Sequence, residues 1–575
     1  MPNKRRWIIA PPVPPVHLAQ FSSLPPLLVQ LLYNRGVRSA ADVAAFLHPT
    51  IDDANPFLLT GMADAVSRIR QAVRRNEPIA IYGDYDVDGV TATALLVQTL
   101  RALGADVRPY IPHRVEEGYG LNMTAMENLT RTKTRLVVTV DCGVRSVQEV
   151  AYARQLGIDV IITDHHSLGP ALPEACAIIN PRQPAAQTAR TRYPFDELAG
   201  VGLAFRLAQA LLRAERQVPV RRGDAPLPDE QDLLDLVALG TVADVVPLRG
   251  ENRALVWHGL QQINAARRPG IRAMLAEAGL TPGAVTAYHI GYVLGPRLNA
   301  AGRLANAIAA YNLLMAETEE EAEALARELG ERNRERQELT RELVSKAQAQ
   351  VLSEGVGPIL IVAGEEYLAG VVGLVASRLA DTFYRPAVVV EWGESQSKGS
   401  ARSIPEFHIT QALDGCAELL IKHGGHAAAA GFTIDNAAWE QFTAQLRQIA
   451  AAQLASVELT PQLEVDAVIP LAQADWATAA MLEEMEPVGH ANPRPCFVSR
   501  NVMVRQFSVV GNNHLRLTLS DGRIVINGIA FGQGAWASHM PPRIDVAYNL
   551  AVDEWNNERR LQLHVQDLRP AGTPD

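Results

Sequence analysis

Four short acidic motifs, each preceded by an apolar run, constrain this chain more than anything else in it. They are Asp84-Tyr85-Asp86-Val87-Asp88-Gly89, Asp141-Cys142-Gly143, Asp164-His165-His166 and Asp244. The runs before them are Pro78-Ile79-Ala80-Ile81-Tyr82, Leu136-Val137-Val138-Thr139-Val140, Val160-Ile161-Ile162-Thr163 and Leu236-Val237-Ala238-Leu239. The first three are short and β-rich, as strands buried on both faces of a parallel sheet are. Each motif, Asp244 included, is expected where a buried strand ends. In open α/β sheets, ligands bind outside the carboxyl ends of the strands. Carboxylates and imidazoles delivered there by separate strands can converge, and such a group suits a pair of hard or borderline divalent cations. Metal-dependent phosphoester hydrolysis is the chemistry this pattern predicts.

The rest of the chain falls into regions. At 575 residues it is too long for one core, and about 150 residues per domain gives three or four. Residues 1–50 are proline-rich and then helical, a small lead-in. From about 60 to 310, apolar strands alternate with helices such as Val90–Gly104 and Ser146–Gly157, the signature of a doubly wound parallel sheet. Residues 317–347 read as one long helix, with Leu325, Leu329, Leu339 and Leu343 as spaced apolar contacts and Arg332, Arg334, Arg336 and Arg341 between them. So narrow a stripe suits a solvent-exposed helix bridging two domains, its charges a solvated face. A second, smaller α/β region begins at Pro358-Ile359-Leu360-Ile361-Val362-Ala363. After 449–460 come short strands and turns (Val502–Val510, Leu515–Leu519, Ile524–Phe531, Arg543–Leu550, Leu561–Val565), the spacing of a small β-barrel.

Composition narrows the function. The formal charge of −10 argues against a uniformly basic coat for nucleic acid, though acids that hold metal are neutralised there. The four cysteines (Cys142, Cys176, Cys416, Cys496) form no CxxC pair, which leaves reduced thiols in a cytoplasmic protein as the expectation. No apolar run reaches a membrane span, and Lys4-Arg5-Arg6 is followed by too short an apolar stretch for a signal peptide.

Each motif also has a plainer reading. Asp84–Gly89 opens like an EF-hand loop, but Leu95 stands where that loop needs its last ligand, and a strand precedes it. Asp141 alone could be a helix N-cap, and a lone His165-His166 pair could be structural. Successive residues of an extended chain point apart, so the two imidazoles can have different roles: one on metal, the other on substrate. Asp164 can orient an imidazole from behind. Asp244, among apolar neighbours, is a buried carboxylate that must be paired or ligated.

Taken together and in order, Tyr82–Gly89, Asp164-His165-His166 and Gly240–Leu248 resemble the DHH phosphoesterase superfamily and, within it, the RecJ family of single-stranded-DNA exonucleases. Gly424-Gly425-His426-Ala427-Ala428-Ala429-Ala430-Gly431-Phe432 resembles the family's DHHA1 signature, with Gly295–Arg303 and Gly370–Arg378 beside it. Glu486–Pro495 is similar to the opening of the family's nucleic-acid-binding barrel, with His490 in place of a usual glycine. The resemblance runs from about residue 70 to the C-terminus. After the helical lead-in, taken as 1–55, it implies a DHH catalytic domain at 56–315, a connecting helix at 316–350, a DHHA1 substrate-binding domain at 351–457 and an OB-fold at 458–575. It implies two Mn²⁺ or Mg²⁺ ions: Asp86 and Asp88 each facing a different ion, Asp141 bridging, and His165 and Asp244 completing one site. Asp84 serves the other, since Tyr82 stands where some relatives carry a histidine. His166 would meet the scissile phosphate.

The implied activity is 5′-to-3′ degradation of single-stranded DNA to 5′-mononucleotides, in repair and recombination. The strand and its 5′ end would be held by Arg114, Arg297, Asn299, Arg303, Ser400, Arg402, Gly424, Gly425 and His426. The glycines would either turn the chain tightly before a helix or offer N–H groups to phosphate. Phe497, Arg500, Arg505, Phe507 and Arg516 are barrel candidates for contact with the strand. A helicase and a single-strand-binding protein are candidate partners; no membrane is. The competing functions are a DHH phosphodiesterase for short oligonucleotides or other small phosphoesters, and a scaffold without catalysis. The long helix and the barrel favour a polymer.

Overall fold

Ile79-Ala80-Ile81-Tyr82 is buried at every residue and forms β1 (Ile79–Tyr82). The same pattern makes β3 (Leu136–Val140), and nearly the same makes β4 (Asp159–Thr163). With β2 (Val107–Tyr110) and β5 (Ala177–Ile179) they build a five-stranded, all-parallel sheet in the order 2-1-3-4-5. Burying each Ile, Val or Leu contributes about 1.5–3 kcal/mol, so a strand buried on both faces is firmly held. The chain winds in opposite directions on either side of the β1–β3 boundary, the switch point where ligands bind in such sheets.

Over β1 lies α1 (Val87–Ala102), which begins where Asp86 caps it by accepting a hydrogen bond from the Gly89 N–H at 3.0 Å. It is almost wholly buried against α2 (Gly200–Gln217) and α3 (Leu234–Ala243). The run before Asp244 is therefore helix α3, not a strand, and Asp244 is its C-terminal cap. This corrects the expectation of a fourth strand end. An all-apolar stretch has no periodicity to separate buried strand from buried helix, and the ten residues of α3 are helix length.

After α4 (Gly295–Leu304), the long helix α5 (Glu319–Glu354) runs 36 residues, about 54 Å at 1.5 Å per residue. It begins at Thr318, whose side chain accepts from Glu321 N, and Gly355 follows its end. It is less solvated than its sequence suggests: Ala322, Ala326, Leu329, Gly330, Asn333, Leu343, Ala347 and Val351 are buried. Small residues make much of this contact, and alanine and glycine give little periodic signal. The helix leads into a mixed sheet of β6 (Leu360–Gly364), β7 (Ala387–Glu391), β8 (Gln396–Arg402), β9 (Leu420–Gly425) and β10 (Ala429–Asp435), in the order 9-10-8-7-6. Helix α6 (Val372–Phe383) packs on β7 and β8.

The last strands are β11 (Phe497–Val510), β12 (His514–Ser520), β13 (Val525–Ala530), β14 (Arg543–Trp555) and β15 (Glu558–Pro570). They close into a barrel, because β11 pairs with both β12 and β14 while β13 pairs with β15. Thus the doubly wound sheet, long helix, smaller α/β sheet and barrel follow in the expected order.

This is a computed structural model describing residues 5–51, 54–114, 116–183, 193–221, 227–304, 306–555 and 558–574. It divides into two units, Thr50–Val457 and Met1–Pro49 with Glu458–Asp575. The expected lead-in is therefore no separate element. Strand Arg6–Ile9 pairs in parallel with Gln462–Val465, and Leu28, Leu31, Leu32, Val43 and Phe46 share a core with barrel residues such as Phe497 and Leu517. Sequence cannot show this, since the contacts join residues more than 400 positions apart. Among the described residues, no helix is long and apolar enough to cross a membrane.

Candidate active site

At the switch point the loops after β1, β3 and β4 meet the cap of α3. Three groups of ligand atoms result, each within 4.8 Å: Asp84, Asp86 and Asp141; Asp88, His165 and Asp244; and Asp141, His165 and His166. Asp141 faces His165 at 3.1 Å (Oδ1 to Nε2), and Asp244 Oδ2 lies 3.5 Å from the same nitrogen.

The backbone is arranged for this convergence. Asp141 sits at φ 62°, a left-handed conformation that costs a non-glycine residue about 1–3 kcal/mol and is found where function fixes the chain. Helix α2 begins directly against it: a Cβ on Gly200 would lie 2.7 Å from Asp141 Cβ. The same helix start holds Asp88, whose oxygens accept from Gly200 N at 2.6 Å and Val201 N at 2.8 Å. Behind the histidines, Asp164 accepts from Val144 N (2.9 Å) and His166 N (3.0 Å), and its Oδ1 lies 2.8 Å from His166 Nδ1. Tyr119 Oη is 3.1 Å from the same Nδ1, which leaves Nε2 as the nitrogen open to a substrate. Tyr82 is fully buried and donates to Gly120 O at 3.0 Å.

So many carboxylates out of water raise one another's affinity for protons. Burial first, then Asp86, pushes Asp88 up to about 7. Burial and then Asp88 push Asp244 up to about 9. Asp84 and Asp141 also rise well above the ordinary carboxylate range, by burial and then by their acidic neighbours. His165 is driven down to about 3 by burial and by His166, so it is neutral at physiological pH, the state that ligates metal. Burial also works to lower His166, but the Asp164 carboxylate outweighs it and the net shift is upward. Asp84 Oδ1, Asp141 Oδ1 and His165 Nε2 are buried without a hydrogen-bond partner. Orphaned acceptors cost about 1–3 kcal/mol each, and a neutral imidazole among clustered carboxylates is a donor set that fits divalent cations.

Across from this cluster, in the same unit, a cleft of about 540 Å³ runs from Tyr85, Arg114 and Tyr119 to Ser400, Gly424 and Gly431. Arg114 lies over the Tyr85 ring, 4.7 Å from its centroid. Arg402 lies 3.1 Å from Ser400 Oγ, against the start of α6, where a Cβ on Gly373 would come within 2.9 Å of its guanidinium. Arg303 donates to Gly370 O at 3.0 Å. Burial, then Arg114, Arg336 and Arg402, pushes Arg303 down to about 9, so cations crowd here.

Gly424 and Gly425 end β9, and His426 occupies the tip of the β9–β10 hairpin, close enough to His166 to feel its charge. No helix starts there, which corrects the reading of a turn before a helix: Ala427 and Ala428 are in the hairpin turn, and Ala429 and Ala430 are in β10. Of the strand-binding candidates Arg114, Ser400 and Gly424 line the cleft, whereas Arg303, Arg402, Gly425 and His426 do not themselves line it, and neither do Arg297 and Asn299. Arg297 is held by Glu277 at 2.8 Å and by Val293 O at 2.9 Å. Asn299 is half-buried on α4. Sequence reading missed Tyr119, Arg336 and the start of α2. Only the last left a signal, the Gly200-Val201-Gly202 opening of an apolar helix.

Three family models match in order: the DHH family N-terminal domain over residues 78–241, the DHHA1 domain over 356–454 and the RecJ OB domain over 465–567. The single-stranded-DNA-specific exonuclease RecJ of Salmonella typhimurium is 38% identical over 570 residues, 96% of each chain. The chain belongs to the RecJ family. The Bacillus subtilis RecJ is also 38% identical, over 98% of this chain and 71% of its own. Among solved RecJ structures, that from Thermus thermophilus in complex with Mn²⁺ superposes with a TM-score of 0.83 at 31% identity, covering 99% of this chain and 80% of that one.

Proposed function

We propose that this chain is a metal-dependent exonuclease that degrades single-stranded DNA from its 5′ end to 5′-mononucleotides, in repair and recombination. The observation that carries the reading is the pairing, within one unit, of an acidic and imidazole cluster with a cationic cleft facing it. Near-full-length similarity to single-stranded-DNA-specific exonucleases supports it.

The residues fit two Mn²⁺ or Mg²⁺ ions: Asp84, Asp86 and Asp141 for one, and Asp88, His165 and Asp244 for the other, with Asp141 shared. Such a pair supplies an activated water and neutralises charge on the phosphate. The chain's own groups do the rest. His166, its Nδ1 fixed by Asp164, presents Nε2 to the phosphate and stabilises charge that develops there. Arg402 and Ser400, beside the start of α6, with Arg114 in the cleft, hold the terminal phosphate by charge-assisted hydrogen bonds. Arg303 reinforces this positive end, and Gly424, Gly425 and His426 close over the strand. Duplex DNA is refused by a cleft too narrow for two strands.

By this reading the functional parts are 56–315 for chemistry, 351–457 for the strand's end and 458–575 for its length, joined through 316–350. The place of action is the cytoplasm, with a helicase and a single-strand-binding protein as partners that expose and present the strand.

The test uses end-labelled oligonucleotides with Mn²⁺, single strands against duplexes. Early release of mononucleotide from the 5′ end of single strands, lost in Asp141→Ala, is the expected result. Hydrolysis confined to dinucleotides would replace the reading with a small-substrate phosphodiesterase.

A further inference from the structure

A groove of about 570 Å³, whose lining shares no residue with the metal cluster, opens between α4, α5 and α6. Three guanidiniums line it: Arg336 and Arg341 from α5 and Arg378 from α6. A single carboxylate, Asp381, lies among them. Arg341 and Arg378 are exposed, and among the described residues neither makes an ion pair. Arg336 donates to Asn333 Oδ1 at 2.9 Å, but its buried Nε has no partner. Of the other arginines of α5, Arg332 is paired with Glu328 and Arg334 with Glu277, while Arg327 is exposed and does not line the groove. Two of the α5 guanidiniums that no carboxylate pairs, Arg336 and Arg341, therefore line this groove.

At the groove's rim, Tyr292 is 71% exposed and Tyr288 52% exposed. Their rings stack on one another, 4.7 Å between centroids and 27° between planes. They flank the start of a π-helical turn, Ile290–Leu294, inserted directly before α4. In an ordinary helix, residues four apart already lie on one face. Here the wider turn carries Tyr292 out over the groove, and such turns recur at functional sites. Two tyrosines held face to face in water offer a flat platform and bury little of their own surface, so packing does not account for them.

We infer that the Tyr288–Tyr292 platform and the Arg336–Arg341–Arg378 groove form a nucleotide subsite separate from the metal centre: a base stacks on Tyr292 and its phosphate lies among the guanidiniums. Aromatic faces with a cationic groove are how proteins hold single strands without reading sequence. Arg303 feels the charge of Arg336, which lines this groove, and of Arg114, which lines the cleft, together with that of Arg402. The groove and the cleft thus share a positive field. The inference rests on the single-strand reading. The occupant is a nucleotide unit, either a segment of the same strand or a released mononucleotide.

The test is photocrosslinking on the full chain in EDTA, where no cleavage occurs. One arm uses oligothymidylates carrying 5-iododeoxyuridine at successive positions; the other uses 5-iododeoxyuridine monophosphate. Cross-links at Tyr288 or Tyr292 support the subsite: from the oligonucleotide alone they make it a strand track, and from the monophosphate they make it a product site. In parallel, Tyr292→Ala is expected to weaken oligonucleotide binding about tenfold, the loss of one stacked base. Arg341→Glu with Arg378→Glu should lower the salt dependence of log Kd by about 1.4, for two phosphate contacts. Absence of both cross-links, with unchanged affinity in Tyr292→Ala, overturns the inference. Hydrolysis of single strands in Mn²⁺ is measured separately. Cleavage without cross-links removes only the subsite, whereas cross-links without cleavage remove only the exonuclease reading.

Discussion

Asp164 gives the clearest case of a side chain acting through another. It ties His166 at Nδ1 and the backbone of Val144 and His166, and its charge raises His166 against the downward pull of burial. Asp164→Asn keeps the shape but removes that charge. The rate on single strands is then expected to fall about 10–100-fold, as when groups behind metal ligands are lost. If His166 acts as the protonated ring, the alkaline limb of the pH–rate profile also moves to lower pH; an unmoved limb would reduce Asp164 to a structural role. Gly200 is the second case. A Cβ there would press on Asp141 at 2.7 Å and disturb the helix start that holds Asp88. Gly200→Ala should cost about 1–3 kcal/mol in unfolding experiments and, more tellingly, lower Mn²⁺ affinity in calorimetry. Unchanged affinity would mean the cluster tolerates the shift. The acids and histidines were legible as residues because each follows an apolar run. Tyr119 and Gly200 were not, because nothing local says that a chain folded elsewhere will press against Asp141.

At the scale of elements, the three β-rich runs could be placed because strands buried on both faces have a composition of their own. Asp244 shows where that reasoning fails. Leu236-Val237-Ala238-Leu239 is as apolar as a strand, yet it lies in α3, and its length decides what its pattern leaves ambiguous. The helix is closed off at Val245, which takes a left-handed φ of 60° directly after Asp244. The β9–β10 hairpin failed differently: glycine-rich chain followed by alanines suits a helix start, and sheet pairing with β8 overrode that propensity. Helix α5 was legible in position but not in burial. Leu343 is buried in a core with residues of β6 and α6, whereas the metal cluster stands at the ends of β1, β3 and β4, with Asp88 of α1 and the cap of α3. Leu343→Ala is therefore expected to cost about 2–5 kcal/mol, read as a lowered Tm, with Mn²⁺ stoichiometry unchanged. A variant that lost metal as well would show that α5 transmits strain to the cluster.

At the scale of the molecule, protonation, metal and stability are one linked system. Asp88 at about 7 and Asp244 at about 9 both lie above the unfolded carboxylate value of 3.8. The sign follows. Below about pH 4 both folded and unfolded chains hold these protons, and the metal-free fold keeps its full stability from them. As pH rises from there through 7 and 9, the unfolded chain loses its protons first and that stability is lost. Metal-free protein should therefore unfold more readily at pH 8 than at pH 6, measured by denaturant titration in EDTA. Mn²⁺ replaces the protons, so its uptake near pH 7 releases them, and the heat of binding must change with the ionisation enthalpy of the buffer. At a hundredfold excess over Kd, Mn²⁺ adds about 2.7 kcal/mol to the folded state, and at a fixed Mn²⁺ concentration the gain grows with pH because affinity grows as the competing protons leave. A metal-free protein equally stable at both pH values, with buffer-independent binding heats, would mean that these carboxylates are already ionised before metal arrives. The cluster's raised proton affinity would then have no part in how the site is filled.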